Sequence, residues 1–386
     1  MCIKIKIGNT AISIGFYFFL SLIEVVSMYK SFIVDVSLSS AILVFLSLIS
    51  IVIILRYHKK IDYRFIFCLF LYYSWVIIKS NSFYRVISVI ALLNLVAISI
   101  KPDNDLTFRK MLEYIALLAS FCVTIQTIVF YFLGKHIPMI IESFCTSSVR
   151  VQYHNAISTG LVQGMYRPCA FFLEPAHYTE CCIMGLLSLL SYERTNIRRS
   201  VIISIGIVLT TSGMGIVLTF CLWVWKYFLG ASNISIVKRI KNVAGIILVL
   251  IVSLLILSRF PFFENAINRM FDSNSSVGAL HGRTIYWDTF FKGKKFTDFI
   301  WGFGYEELPE VYFTGFMSII YCYGIVGYVF LLLFVGRVFL SGERFEKMVC
   351  ILFVGLMFVS NVTNFLYVVF VLGLASSQMR TKQLAV

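Results

Sequence analysis

Twelve apolar runs, separated for the most part by short connections, leave this chain one solvent in which most of it can fold. They lie near 11–28, 36–55, 64–78, 84–100, 111–133, 177–192, 200–211, 214–229, 243–258, 313–338, 348–360 and 362–377. An α-helix rises about 1.5 Å per residue, so runs of this size approach or reach the roughly 30 Å hydrocarbon core of a bilayer. Inside lipid every backbone N–H and C=O must be satisfied within its own segment, which selects helices over open strands. The expectation is an all-α polytopic membrane protein of about 12 transmembrane helices.

Composition agrees. With 59% hydrophobic and 13% charged residues, the chain has too little polar surface to cover a water-soluble fold of 386 residues. A net charge of +14 would suit nucleic acid if it gathered on one face, but the cations are dispersed between the apolar runs. They follow a topological pattern. Lys4 and Lys6, Arg56 to Arg64, Lys101 with Arg109 and Lys110, Arg194 to Arg199, Lys238 to Lys241, Arg344 with Lys347, and Arg380 with Lys382 fall on alternate sides of successive runs. The intervening short connections hold little beyond Lys30 and Lys79. By the positive-inside rule the basic side is cytoplasmic, both termini lie there, and the first run is a retained helix.

Two connections are long. The expected organisation is a single membrane domain with a five-helix block at 1–133 and a first long extracytoplasmic loop at 134–176. Central helices follow at 177–258, then a second long loop at 259–312 and C-terminal helices at 313–386. The pair meeting at Thr211-Ser212-Gly213 is short for two full spans and reads as two tilted helices or one broken helix. There is no internal repeat. The ten cysteines show no paired C-x-x-C spacing, although Cys145 and Cys169 share the first loop and can pair if that side is oxidising. Glu24 is the most isolated charge within an apolar run, and pairing to a neighbouring helix accounts for it better than an ion path does.

The two long loops contain nearly all the candidate reactive groups. The first closes with Arg167-Pro168-Cys169-Ala170-Phe171-Phe172-Leu173-Glu174-Pro175-Ala176-His177. Arg grips a phosphate bidentately, and a desolvated Glu can take a proton from a hydroxyl, although pairing of Arg167 with Glu174 or with lipid headgroups is the competing reading. His177 and Glu180 stand one turn apart, but a metal there would need further ligands that the sequence does not offer. In the second loop, His281-Gly282-Arg283-Thr284-Ile285-Tyr286-Trp287 puts Arg283 and Trp287 on one face if helical, a cation beside an aromatic plate. An interfacial helix anchored by Trp and Arg would look the same. Trp301-Gly302-Phe303-Gly304-Tyr305 is a Gly-punctuated turn, with Lys292, Lys294 and Lys295 just before it.

Together these segments resemble the O-antigen polymerase (Wzy) family, within the superfamily that also holds O-antigen ligases. The resemblance rests on 167–175, Leu209-Thr210-Thr211-Ser212-Gly213, Gly282-Arg283 to Trp287, Gly302-Phe303-Gly304, and Tyr323-Gly324-Ile325-Val326-Gly327, in that order around the two loops. It covers about the half from Tyr166 to Tyr328, the first five runs matching only in hydropathy.

It implies a fold similar to GT-C-type membrane glycosyltransferases, in the bacterial inner membrane with a periplasmic active face. The implied activity is a metal-independent transfer, without a cofactor, of an undecaprenyl-diphosphate-linked glycan onto a lipid-linked repeat unit in lipopolysaccharide biosynthesis. Arg167 and Arg283 would hold the diphosphate, with Glu174 nearest the acceptor hydroxyl. Trp287, His281, Tyr286 and His177 would contact sugar. Donor and acceptor oligosaccharides, membrane lipids and a chain-length regulator are the implied partners, with no nucleic acid.

Two features depart from the family pattern: Gly213 and Met214 replace an Arg common after the Thr-x-Ser element, and Glu310-Val311-Tyr312 stands where ligases commonly carry a His. The second departure favours polymerase over ligase. A ligase, a capsule polymerase and, from another class, a polysaccharide transporter or flippase stay open. A transporter would place polar residues along a midplane cavity between symmetric halves, whereas polarity here concentrates in the two loops.

Overall fold

A computed structural model of the chain describes residues 9–27, 29–30, 37–56, 63–100, 105–145, 149–151, 153–155, 158, 166–192, 195–228, 237, 240–241, 244–245, 248, 259, 290, 294–304, 313–342, 344–360 and 371. Among them the architecture is all-α, with a lone bridge between Lys30 and Ser37 as its one β-type pairing. Among the described residues three helices are long and apolar enough to cross a membrane, over Leu38–Leu55, Phe108–Leu133 and Gly315–Ser341. Most of the expected runs at 243–258 and 362–377, and most of the 259–312 loop, lie outside the described residues. So does the side chain of Glu24.

The chain divides into two compact units, unit 2 spanning Leu112–Ile285 and unit 1 comprising the remainder. In the remainder, α1 (Asn9–Val26), α2 (Leu38–Arg56), α3 (Tyr63–Lys79) and α4 (Ser82–Ile100) match the first four apolar runs to within two residues. α5 (Asp105–Leu133) starts six residues ahead of its run, because nothing after Pro102 breaks a helix although the first turns are polar. α2 packs on α1 and α4. Asn94, fully buried in α4, takes a hydrogen bond from Ser50 at 2.7 Å and donates to the Leu43 carbonyl at 3.1 Å, the kind of polar glue that joins helices in an apolar solvent.

In unit 2, α6 (Pro175–Ser191) is buried on nearly every face, from Tyr178 to Leu190. A helix apolar all round belongs inside other helices. It runs antiparallel to α5: Ser188 pairs with Glu113, Gly185 lies over Ala116 and Leu112, and Tyr178 meets Ser120. Gly185 permits that approach, since a Cβ there would stand 2.6 Å from the Ala116 Cβ and 2.8 Å from the Leu112 carbonyl oxygen.

The short pair expected around Ser212 forms two helices, α7 (Ile197–Leu209) and α8 (Gly213–Phe228), folded back on one another. Trp223 Nε1 donates to Ser204 Oγ at 2.9 Å across the hairpin. The reversal falls at Thr211, whose φ of 54° makes the chain turn. Of the two readings that the sequence left open, the chain takes two helices.

α9 (Phe296–Trp301), α10 (Gly315–Ser341) and α11 (Arg344–Val359) belong with α1 to α4. The apolar run at 313–338 reads as one uninterrupted helix, but α10 is broken at Gly324 (φ 71°, ψ −179°). A break frees the carbonyls of the preceding turn, and each finds a donor. Phe303 N–H donates to Tyr321 O at 2.8 Å, Gly304 N–H to Cys322 O at 3.0 Å, and Trp75 Nε1 to Tyr323 O at 2.6 Å. Discontinuous membrane helices persist only where neighbours re-satisfy the backbone in this way.

Candidate functional site

The 134–174 connection returns to the bundle at the end of α5, and a single amide side chain holds both of its described ends. Gln126, buried in α5, accepts from Ala170 N–H at 2.9 Å and donates to Ile137 O at 3.0 Å and Ala170 O at 3.5 Å. Ala170 has φ 54°, and the turn closes with Phe172 N–H on Cys169 O at 3.0 Å. From there Phe172 packs edge-on against Tyr178, whose hydroxyl lies 2.8 Å from Ser120 Oγ. The segment that carries Arg167 and Glu174 is thereby tied to α5 on one side and α6 on the other.

Arg167 is half-buried, while Glu174 is exposed at the N-cap of α6, its side chain making no cap hydrogen bond. Pro175 opens the helix at the position where a missing N–H costs nothing. His177 is half-buried in the first turn, within electrostatic range of Glu174. Cys169 lies between the two charged groups: burial pushes its thiol up to about 12, the Arg167 guanidinium opposes that, and Glu174 adds to it. Cys169 and Cys145 are free thiols, so the disulfide weighed from their shared loop is not formed.

The Thr211-Ser212 turn belongs to the same end. Gly215, one turn into α8, fits so closely on α6 that a Cβ would stand 2.8 Å from Thr179 Oγ1. Thr210 and Ser212 are buried with their hydroxyls turned to local backbone, Thr210 Oγ1 to Ile207 O at 2.7 Å and Ser212 Oγ receiving Gly215 N–H at 3.4 Å. These hydroxyls cap the hairpin.

Of the seven residues singled out in the sequence, the structure brings Arg167, Glu174 and His177 into one end of unit 2. Arg283, His281, Tyr286 and Trp287 lie outside the described residues. Among the described residues no group of three His, Cys, Asp or Glu side chains is placed to hold a metal ion.

Two residues of this end escape a search for charges. One is Gln126, whose signal is an amide in an apolar run two turns from its end. The other is His136, whose ring nitrogens lie 3.2 Å from Tyr166 Oη and 3.1 Å from Tyr153 Oη. Tyr166 stacks on Phe130 of α5 with ring centroids 4.1 Å apart. Burial raises both phenols and lowers His136, with Glu142 opposing the last shift.

In the other unit, Lys294 reaches Tyr321 Oη at 2.5 Å and sits 3.8 Å above the Phe303 ring. Both rings join an aromatic cluster with Phe290, Phe299, Phe313 and Met317. Lys79 Nζ donates to Gly302 O at 2.9 Å. Comparison with protein-family models, curated proteins and solved structures returns no match to this chain.

Proposed function

We propose that the chain is an O-antigen-type polymerase: a bacterial inner-membrane protein of about twelve helices, termini in the cytoplasm and both long loops in the periplasm. The observation that carries the reading is the Gln126 tether, which fixes the Arg167 to Glu174 segment at one end of a helical unit beside the Thr211 turn. A cation and an exposed carboxylate presented there suit a lipid-linked diphosphate and the sugar hydroxyl that attacks it.

In this mechanism Arg167, with Arg283 from the second loop, binds the diphosphate of the undecaprenyl-linked donor and stabilises the charge it gains on leaving. Glu174 takes the proton of the acceptor hydroxyl. The acceptor oxygen bonds to the anomeric carbon, the bond from that carbon to the phosphate oxygen breaks, and undecaprenyl diphosphate departs with the electron pair. Trp287, His281, Tyr286 and His177 contact the sugars. The lipid tails of both substrates stay in the bilayer, so the reaction is confined to the membrane surface.

The test is deletion of the gene in its host, complementation with wild type, Arg167→Ala or Glu174→Gln, and a gel of surface lipopolysaccharide. A ladder that collapses to core plus one repeat, restored by wild type and by neither variant, is the expected result. Loss of the single-repeat band as well would indicate ligation or flipping, and an unchanged ladder would remove the polymerase reading. A Glu174→Gln variant with full polymer length and amount would remove Glu174 from its role.

A further inference from the structure

We propose that His136 is a positioning residue that holds Arg167 in its working place through the Tyr166 hydroxyl, and that its neutral form is the one that does so. The ring makes two contacts, with Tyr166 on one nitrogen and Tyr153 on the other. A neutral imidazole has one N–H and one lone pair, so one tyrosine accepts from it while the other donates to it. The arrangement satisfies both nitrogens with no surplus proton.

Tyr166 is the last residue before Arg167, and Phe130 holds its ring by stacking. Stacking fixes the ring plane, while the hydroxyl contact fixes how far the ring slides along Phe130. Gln126 grips the chain three residues beyond Arg167, at Ala170. Arg167 is therefore carried between two anchors, one on each side.

Protonation changes this. The ring nitrogen that accepted a tyrosine proton becomes a donor, the tyrosine O–H must turn away, and a charge is placed in a half-buried site. Glu142 offsets part of that charge but less than burial costs it. Glu142 is already engaged by His154 at 3.0 Å, Lys135 adjoins the ring in sequence, and Tyr153, Tyr166 and Cys169 are neutral over the relevant range. Because burial holds the folded-state His136 below its ordinary value of 6.5, the support it gives is full above pH 6.5 and is lost as pH falls through the lower folded-state value.

The proposal rests on the reading of Arg167 as a diphosphate contact, so its test has a readout that does not depend on activity. Amide exchange of the 166–174 peptide is measured on the full chain in lipid discs at pH 7.5 and pH 4.5, each normalised to the intrinsic chemical rate. Wild type is expected to exchange about fivefold faster at pH 4.5, and His136→Asn, neutral throughout, to exchange at one normalised rate at both. Tyr166→Phe is expected to be fast at both, with Gln126-bonded Ala170 still protected. Equal protection of wild type at the two pH values, or no effect of Tyr166→Phe, would overturn the proposal. If the exchange results stand while Arg167→Ala leaves the lipopolysaccharide ladder intact, the positioning is real and the polymerase reading fails.

Discussion

Two segments of this protein are held against a helix, one mainly by side chains and the other mainly by backbone. The 166–174 segment of unit 2 hangs on side chains: Gln126 grips its backbone, and His136 and Phe130 grip Tyr166. The 301–304 segment of the other unit is joined backbone to backbone with the break in α10, through Phe303 and Gly304 N–H groups, with Lys79 Nζ on Gly302 O besides. Side-chain fastening can be varied or titrated one group at a time, whereas backbone fastening depends on the chain fitting at all. The first suits a segment that presents reactive groups, and the second suits a structural closure.

The largest effect should come from the backbone joint. Gly302 and Gly324 touch each other: a Cβ on Gly302 would lie 2.4 Å from Gly324 N, and one on Gly324 would lie 2.4 Å from Ile300 O. Both have φ above +70° with ψ near extended, a region open essentially to glycine alone. Gly324→Ala is expected to cost on the order of 3 kcal/mol or to abolish folding, seen as a lowered thermal midpoint of the purified protein in detergent. A variant as stable as wild type would show that the joint is not close-packed.

Gln126→Leu tests the other side of the comparison. It leaves the buried Ala170 N–H and Ile137 carbonyl without their partner, and is expected to cost about 2 kcal/mol in the same unfolding assay. Because the tether is a side chain, the loss should be local: amide exchange of 166–174 rises while that of 315–323 is unchanged. A rise in both segments would erase the distinction between them.

How much of this was legible in sequence differs along the same line. Helix positions were, because an apolar run and a membrane helix share one length, and α1 to α4 fall within two residues of expectation. The Gly302 turn was legible too, since glycine pairs punctuate. The break at Gly324 was not: Tyr323-Gly324-Ile325-Val326-Gly327 is apolar throughout, and hydropathy carries no information about φ. For the candidate site, Arg167 and Glu174 stood out by charge. Gln126 and His136 did not, because their importance lies in which backbone and which hydroxyl they reach, and those partners are 11 to 44 residues away.

Lys294→Met should have a smaller effect than either. It keeps the apolar stem and removes the ammonium from the Phe303 ring and the Tyr321 hydroxyl, for an expected loss of about 1 kcal/mol in thermal unfolding. Lys294→Arg, which keeps the charge over the rings, should recover part of it.

The last effect is alkaline, held to about 1 kcal/mol by the window between pH 9 and 10, and Cys169 is its carrier in the side-chain-fastened segment. Burial raises the Cys169 thiol from its ordinary 9.0 to about 12, so the folded chain keeps a proton that the unfolded chain gives up above pH 9. The stability associated with the neutral thiol is therefore complete below pH 9 and is lost as pH climbs toward 12, at a limiting slope of about 1.4 kcal/mol per pH unit. Between pH 9 and 10 other buried acids contribute in wild type and variant alike, and subtracting a Cys169→Ala profile isolates this group. The difference should rise with pH and be accompanied by faster exchange in 166–174. A flat difference would mean that the thiol reaches water in the folded state and that the Ala170 turn is looser than the Gln126 bonds require.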